Sequence, residues 1–532
     1  MNLGSDNFWS MLRDDAWLLA PEITLVLGMC AVILAPFIAR KSRRTPAYVT
    51  LATLAVAFFA LVASFADTGS TAFSGMVAID PFSQFFKIIL LVFTALVIGQ
   101  WLIASQQHTH ELDAPDLFCL ILGAATGMAL MASSNNLLMI FLATESASIP
   151  SYALAGFRKR TRIGTEGSLK YVIFGAASTA ITLYGMSLVF GAAGTLDLPG
   201  IAKVATGEAG VSPLMAVGLL AMFAGIAFKL SAVPMHFWCP DVFQGAPIEI
   251  TTFLSVASKG AAICLLVRVV SAFGLPAADG SHAAVGLAIA VGVLGAVTAT
   301  WGNLAALAQT NIKRLLAYSS IGHAGYMIMA AAAAITGETD IARAILFYLL
   351  VYLFMNLGAF TVAAIFGNAT GSEDIEDYVG LSRRSPVLAV LLSVFLLSLF
   401  GMPGLGGFVG KIALATAMTT LGPGGFALLA VLLLNTLISL YYYVRPIYFM
   451  YLRQDEANRP AFTPSGAGIA LLGLCALGVL VTGLSGLGLD LAGDYASLLG
   501  SSVEQAALAT PQLPGELPGE LPGELPGAEA AR

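Results

Sequence analysis

The chain has 532 residues, 58% of them hydrophobic and 11% charged, with a formal net charge of −6. A soluble domain carries about 25% charged residues, so the composition excludes a soluble enzyme and implies a protein that lives in a bilayer. No large soluble domain is left over, and no nucleic-acid partner is expected.

The opening MNLGSDNFWSMLRDDAW has no basic stretch and no cleavage site, so Trp17 onward is expected to be a retained first span. Apolar stretches of about 20 residues come next, each long enough for about 30 Å of hydrocarbon. They centre near residues 28, 56 and 92, then 123, 146, 180, 224 and 260, then 292, 323, 353, 404 and 438, and last 477. The expected fold is an all-α polytopic membrane protein of about fourteen transmembrane helices. Its units are an N-terminal set of three spans (1–110), five spans over 111–275, five over 280–455 and a last span over 463–495. From Ser501 the chain turns to LPGELPGELPGELPG, whose Pro and Gly density predicts an extended tail with no assigned role.

Basic residues fall on one side. Arg40, Lys41, Arg43 and Arg44, Arg158 to Arg162, Lys313 and Arg314, Arg383 and Arg384, and Arg453 and Arg459 share a face if both termini lie outside the cytoplasm. Two spans are interrupted. In FKLSAVPMHFWCPD, Pro234 follows Lys229; in FGMPGLGGFVGK, Pro403 and the four glycines after it precede Lys411. Backbone groups freed by such breaks must face protein or water. Paired breaks, in opposite order relative to their lysines, point to an inverted repeat around a central site.

Four charges stand alone inside apolar runs: Glu145, Lys229, Lys259 and Lys411. Each costs about 2.5–3.5 kcal/mol at a bilayer centre, so the reading is an ion or proton path. A buried lysine can change protonation state, and Glu145 is its natural counter-charge. The bland alternative is a lysine that satisfies broken-helix carbonyls or snorkels to an interface, and Lys87, near a span start, is given that reading. His236, seven residues after Lys229, shares its face if the helix continues past Pro234. His323 sits mid-span. Either is a candidate relay, and equally a packing residue. Ser148, Ser258, Tyr318 and Ser319 are polar neighbours that could hold water or pack helices.

Other chemistry is weak. The five cysteines and five histidines are scattered without ligand spacing, so no metal site is expected. GLGGFVGK fails as a phosphate loop because its spacing is wrong and Ile412 replaces the Ser/Thr. No G-x-G-x-x-G opens a soluble unit, so the chain is not expected to bind NADH itself. SEDIEDY (372–378) reads as a solvated cytoplasmic turn.

FKLSAVPMHFWCPDVFQGAPIEITTFLSVASK, QTNIKRLLAYSSIGHAGYM and SLFGMPGLGGFVGK together resemble the antiporter-like membrane subunits of respiratory complex I. The resemblance runs from Pro21 and Glu22 to the last span. Among paralogues the chain is distinguished by PDVFQGAP after the first break, by ending near span fourteen without a lateral helix, and by Lys411 where one paralogue has glutamate. The resemblance implies two inverted five-helix repeats, spans four to eight and nine to thirteen, with spans seven and twelve broken. It implies that Glu145 pairs with Lys229, that Lys259 connects the central axis, and that Lys411 faces the outer exit. It further implies no cofactor in this chain, with NADH, FMN, iron–sulfur clusters and quinone in other subunits. The implied partners are neighbouring membrane-arm subunits in a bacterial inner membrane, with both termini periplasmic. Glu249 departs from the family, whose members often have an uncharged residue there, and the LPGE tail is not a family feature. An Mrp-type Na⁺/H⁺ antiporter subunit, a proton-pumping hydrogenase subunit and a non-pumping scaffold remain open as alternatives.

Overall fold

The computed structural model of the chain describes residues 13–38, 44–104, 113–207, 210–274, 282–454 and 459–484. The LPGE tail lies outside the described residues, as do Arg40, Lys41 and Arg43. The helices are α1 (Ala20–Ile38), α2 (Thr45–Ala63), α3 (Pro81–Ala104), α4 (Ala114–Ser133), α5 (Leu137–Ala155), α6 (Arg162–Ala193), α7 (Leu198–Thr206), α8 (Pro213–Leu230) and α9 (Trp238–Gly245). They continue as α10 (Ile248–Phe253), α11 (Lys259–Gly274), α12 (His282–Leu307), α13 (Ile312–Ala332), α14 (Thr339–Thr370), α15 (Pro386–Phe400), α16 (Gly406–Thr419), α17 (Pro423–Tyr451) and α18 (Gly466–Leu484). A π-helical turn, Leu254–Ser258, joins α10 to α11. A small antiparallel hairpin, β1 (Ser70–Ala72) and β2 (Val77–Ile79), pairs Ser70 with Ile79 between α2 and α3.

Among the described residues, twelve helices are long and apolar enough to cross a membrane, counting α10–α11 as one. The other two expected spans fall on α13, which carries Lys313, Arg314 and His323, and on the broken pair α15–α16. In apolar helices many threonines turn their hydroxyls to their own backbone, as Thr50 does to Pro46 O and Thr94 to Leu90 O. Several helix starts carry side-chain caps: Asn136 accepts from Leu138 N, Ser212 from Met215 N, and Asn311 from Lys313 N and Arg314 N.

Burial separates centre from rim. The most apolar 18-residue stretch of Ile248–Gly274 is wholly buried and that of Thr339–Thr370 is 83% buried, against 22% for Pro423–Tyr451. The central helices α10, α11 and α14 therefore hold the interior, and α6 and α17 present leucines outward. Any charge on the central helices has to be satisfied by protein.

Candidate functional site

Both expected breaks are present: the first half-helix ends among buried residues, Leu230 to Ala232, and the second ends at half-buried Phe400, followed by exposed Met402, Pro403 and Gly404. Helix α8 stops at Leu230; Ser231 is in the left-handed region at φ 55°, and Trp238 Nε1 donates to the freed carbonyl of Phe228 at 3.1 Å. Helix α15 stops at Phe400, followed by Gly401 at φ 94°. The carbonyl end of a half-helix carries partial negative charge and attracts a cation. Lys229 lies in the last turn of α8. Lys411 reaches back from α16 and donates from Nζ to Phe400 O at 2.6 Å.

Glu145 and Lys229 line one small cavity with Thr144, Thr179 and Thr182, with about 20 Å³ open to the centre of a water molecule, enough for about one water. They are not in contact. Glu145 accepts from Thr179 Oγ1 at 2.8 Å, and Lys229 Nζ donates to Ser148 Oγ. The direct ion pair implied by the family resemblance is replaced by a serine on the Glu145 helix, three residues further on. The Tyr152 ring lies 5.7 Å from the Lys229 ammonium.

Lys259 opens α11 just after the π-helical turn. Its Nζ donates to Ser320 Oγ at 2.7 Å and to Cys239 Sγ at 3.4 Å, with the Phe243 ring 4.9 Å away. One turn beyond Ser320 on α13 is His323. Its Nδ1 meets Tyr348 OH at 2.5 Å and its Nε2 meets Tyr443 OH at 3.0 Å. Tyr443 also bonds Ser319 at 2.5 Å. Lys411 lies 5.2 Å from the ring of Tyr326, which packs edge-on against His323. Ser320, His323 and Tyr326 of α13 thus bring Lys259, the histidine with its tyrosine hydroxyls, and Lys411 into one buried region, but among the described residues no hydrogen bond links either lysine to that histidine cluster.

His236 joins neither group. The helix does not continue past Pro234, so the seven-residue spacing from Lys229 no longer places the two on one face. His236 is buried beside Phe237 and Trp301, and its Nδ1 has no partner. Ser258 and Tyr318 make no hydrogen bond to these lysines.

Two buried ion pairs were not anticipated from the sequence. Lys87 does not snorkel: it is buried and pairs with Glu22 of α1 at 2.7 Å, because α1 and α2 cover that face of the bundle. Arg268 of α11 pairs with Asp80 at 2.6 Å and also donates from Nε and Nη2 to Ala132 O. Arg268 interrupts ICLLVRVVSAF, the same signal that marked Lys259.

The basic residues gather at one end of the bundle with acidic partners. Lys313, fully buried, donates to Gln244 O and Ala246 O, both at 2.9 Å, and pairs with Glu373 at 3.3 Å. Arg158 reaches Glu373 at 3.5 Å. Asp241 bridges Lys170 at 2.6 Å and Arg314 at 2.7 Å. Glu373 is therefore half-buried rather than freely solvated. Burial pushes its carboxyl up, but Lys313 and Arg158 outweigh that and hold it below the ordinary carboxylate value.

The three lysines at the site differ chemically from these salt-bridged cations. Among the described residues, none of Lys229, Lys259 and Lys411 has a carboxylate oxygen within 4.0 Å. Each holds a neutral acceptor instead: a hydroxyl, a hydroxyl and a carbonyl.

The sequence profile described as NADH:quinone oxidoreductase/Mrp antiporter, transmembrane, matches residues 134–439. A protein of Anaeromyxobacter sp. (strain Fw109-5) named NADH-quinone oxidoreductase subunit N is 40% identical over 496 residues, covering 89% of this chain and 94% of its own. A chain from the respiratory complex I of Thermus thermophilus with bound aureothin superposes with a TM-score of 0.72 at 32% identity, covering 88% of this chain and 98% of its own. A chain of the Mrp complex from Dietzia sp. DQ12-45-1b shares the fold, with a TM-score of 0.78 at 20% identity over 92% of this chain and 99% of its own.

Proposed function

This chain belongs to the family of NADH:quinone oxidoreductase and Mrp antiporter transmembrane subunits, and from that membership we propose that it is the proton-translocating subunit N of a proton-pumping NADH:quinone oxidoreductase. Glu145, Lys229, Lys259 and Lys411 carry the proton, with His323 as a relay between Lys259 and Lys411. His236 is a weaker relay candidate, since it bonds to none of these lysines. NADH oxidation and quinone reduction, with FMN and iron–sulfur clusters, take place in other subunits. The partners are other membrane-arm subunits: a neighbouring antiporter-like one and small ones. The protein is multi-pass, in a bacterial inner membrane, with both termini periplasmic and the basic face cytoplasmic.

The observation that carries this reading is the contrast between the two kinds of buried cation. Lys87 and Arg268 are salt-bridged, and a buried ion pair holds its charges in place. Lys229, Lys259 and Lys411 rest on neutral acceptors, which serve an ammonium and tolerate an amine. A scaffold has no use for that arrangement. Moving one charge outward against 100 mV takes about 2.3 kcal/mol, comparable to switching a charge-assisted hydrogen bond worth about 1.5–3 kcal/mol.

Two inverted repeats, over 111–275 and 280–455, are supported by a matching pair of caps. Asn136 caps α5 and bridges Asp197; Asn311 caps α13 and bridges Asp374. The first lies beside the hairpin, where Asn135 N donates to Met76 O; the second lies on the basic face. Equivalent caps at opposite ends are what inversion requires.

The test uses the Lys229→Ala, Lys259→Ala double variant in native membrane. NADH-driven proton uptake by inverted vesicles is compared with NADH:quinone reductase activity, after a native gel shows assembly. Loss of both in an assembled complex is expected. Normal pumping would make the lysines structural, and sodium-dependent proton flux without NADH would transfer the chain to an Mrp-type antiporter.

A further inference from the structure

Proton supply to Lys259 from the basic face has no residue assigned to it. Glu249 lies between the two. It sits in the first turn of α10, it is buried, and its Oε2 has no hydrogen-bond partner. A buried carboxylate with an unfilled oxygen demands a reason. The charges acting on it are Lys313 of α13 and Arg158 beyond α5. Both also hold Glu373, which keeps partial contact with solvent. On the α14 side the polar group is neutral: Asn356 donates to Ser255 Oγ at 3.1 Å.

From Glu249 inward, α10 and its π-helical turn carry Thr252 and Ser255, then Lys259. Steps of three, three and four residues make each a neighbour of the next on the helix surface. All four are buried. Ser255 Oγ bonds Thr252 O at 2.7 Å, so the serine lies over the threonine's turn. The extra residue of a π turn shifts the register of the helix after it, and here it comes immediately before Lys259.

We propose that Glu249 is a proton-relay residue that this chain places at the entrance to its path, taking protons from the Glu373–Lys313–Arg158 cluster and passing them by way of Thr252 and Ser255 to Lys259. The inference deepens the proton-path reading and rests on it. The step moves one proton and breaks no heavy-atom bond. Neutral Glu249 gives up its carboxyl proton and becomes a carboxylate; neutral Lys259 becomes an ammonium; the carboxylate is reprotonated from the aqueous face.

The experiment compares Glu249→Gln, which keeps shape but cannot ionise, with Glu249→Asp, which keeps the acid. Both are measured in the assembled complex as proton uptake per NADH oxidised and as uptake rate, from about pH 6 to about pH 9, with Lys259→Ala alongside. E249Q is expected to slow uptake on the order of a hundredfold, the low end for loss of a positioned proton-transfer group, most at the alkaline end where protons are scarce, and E249D to restore most of it. E249Q matching the wild type at every pH, while K259A abolishes pumping, overturns the role of Glu249 alone. K259A pumping normally overturns the underlying path. If E249Q does not assemble, Thr252→Val tests the same track: slowed uptake supports it and unchanged uptake overturns it.

Discussion

Removing Asp80 is expected to be among the most damaging single changes outside the proton path. Its Oδ2 meets Arg268 Nη2 at 2.6 Å and its Oδ1 accepts from Ser83 N at 2.8 Å, with both charged side chains at most 2% exposed. Asp80→Ala strands a guanidinium in a dry interior, which costs about 3–5 kcal/mol. Arg268 keeps its two bonds to Ala132 O, so the lower half of that range applies. Loss of the α3 cap adds about 1 kcal/mol, for a total of about 4–5 kcal/mol. Arg268→Met should cost a similar amount by stranding the carboxylate. The double variant should recover all but the cap, since replacing a buried pair by apolar groups is often neutral. The assay is the fraction of assembled complex on a native gel, together with its thermal midpoint in detergent. Losses that simply add in the double variant, or an unchanged midpoint in Asp80→Ala, would refute the coupling.

Two further outcomes are expected. The Glu373 carboxyl lies below its ordinary value of 4.5, so its stabilising contribution is complete above that pH and is lost as pH falls through the lower folded value. The amides of Ile312 and Ile375, which bond Glu373 O and Thr310 O, should exchange faster than intrinsic rates predict as pH falls through that lowered folded value; Glu373→Gln should abolish that acid step, and an acid step that persists in the variant would sink the assignment. Gly407 packs so tightly that a Cβ would lie 1.8 Å from Ser398 O, a backbone atom. Gly407→Ala should cost about 1–3 kcal/mol or more and prevent the α15–α16 break from closing, seen as loss of assembled complex. An assembled, pumping variant would contradict that packing.

Lone charges in apolar runs made Glu145, Lys229, Lys259 and Lys411 legible, because the bilayer penalises a charge wherever it sits. The two breaks were legible from Pro and Gly for the same local reason. What the sequence concealed was pairing. Nothing local distinguishes Lys87, which has a carboxylate, from Lys259, which has a serine, because the partners lie on other helices. Arg268 carries the same lone-charge signal as Lys259, yet its carboxylate partner, Asp80, lies at the start of another helix. His236 depends on a condition the sequence leaves open: it shares the Lys229 face only if the helix continues past Pro234, and the helix ends at Leu230. Glu249 could be seen as unusual, but its burial and its orphan oxygen depend on how α13 and the Glu373 segment fold over α10.

The buried pairs also bear on how the chain enters the membrane. Helices are delivered in order as synthesis proceeds. Lys87 arrives with Glu22 already in place, so α3 can be inserted with its charge neutralised. Asp80 must wait at the end of α3 until Arg268 emerges on α11. Through that interval α3 lacks the contact that anchors it to the centre of the bundle. A partly made chain stalled before α11 should therefore depend on the insertion machinery to shelter Asp80, and synthesis slowed there should raise its degradation.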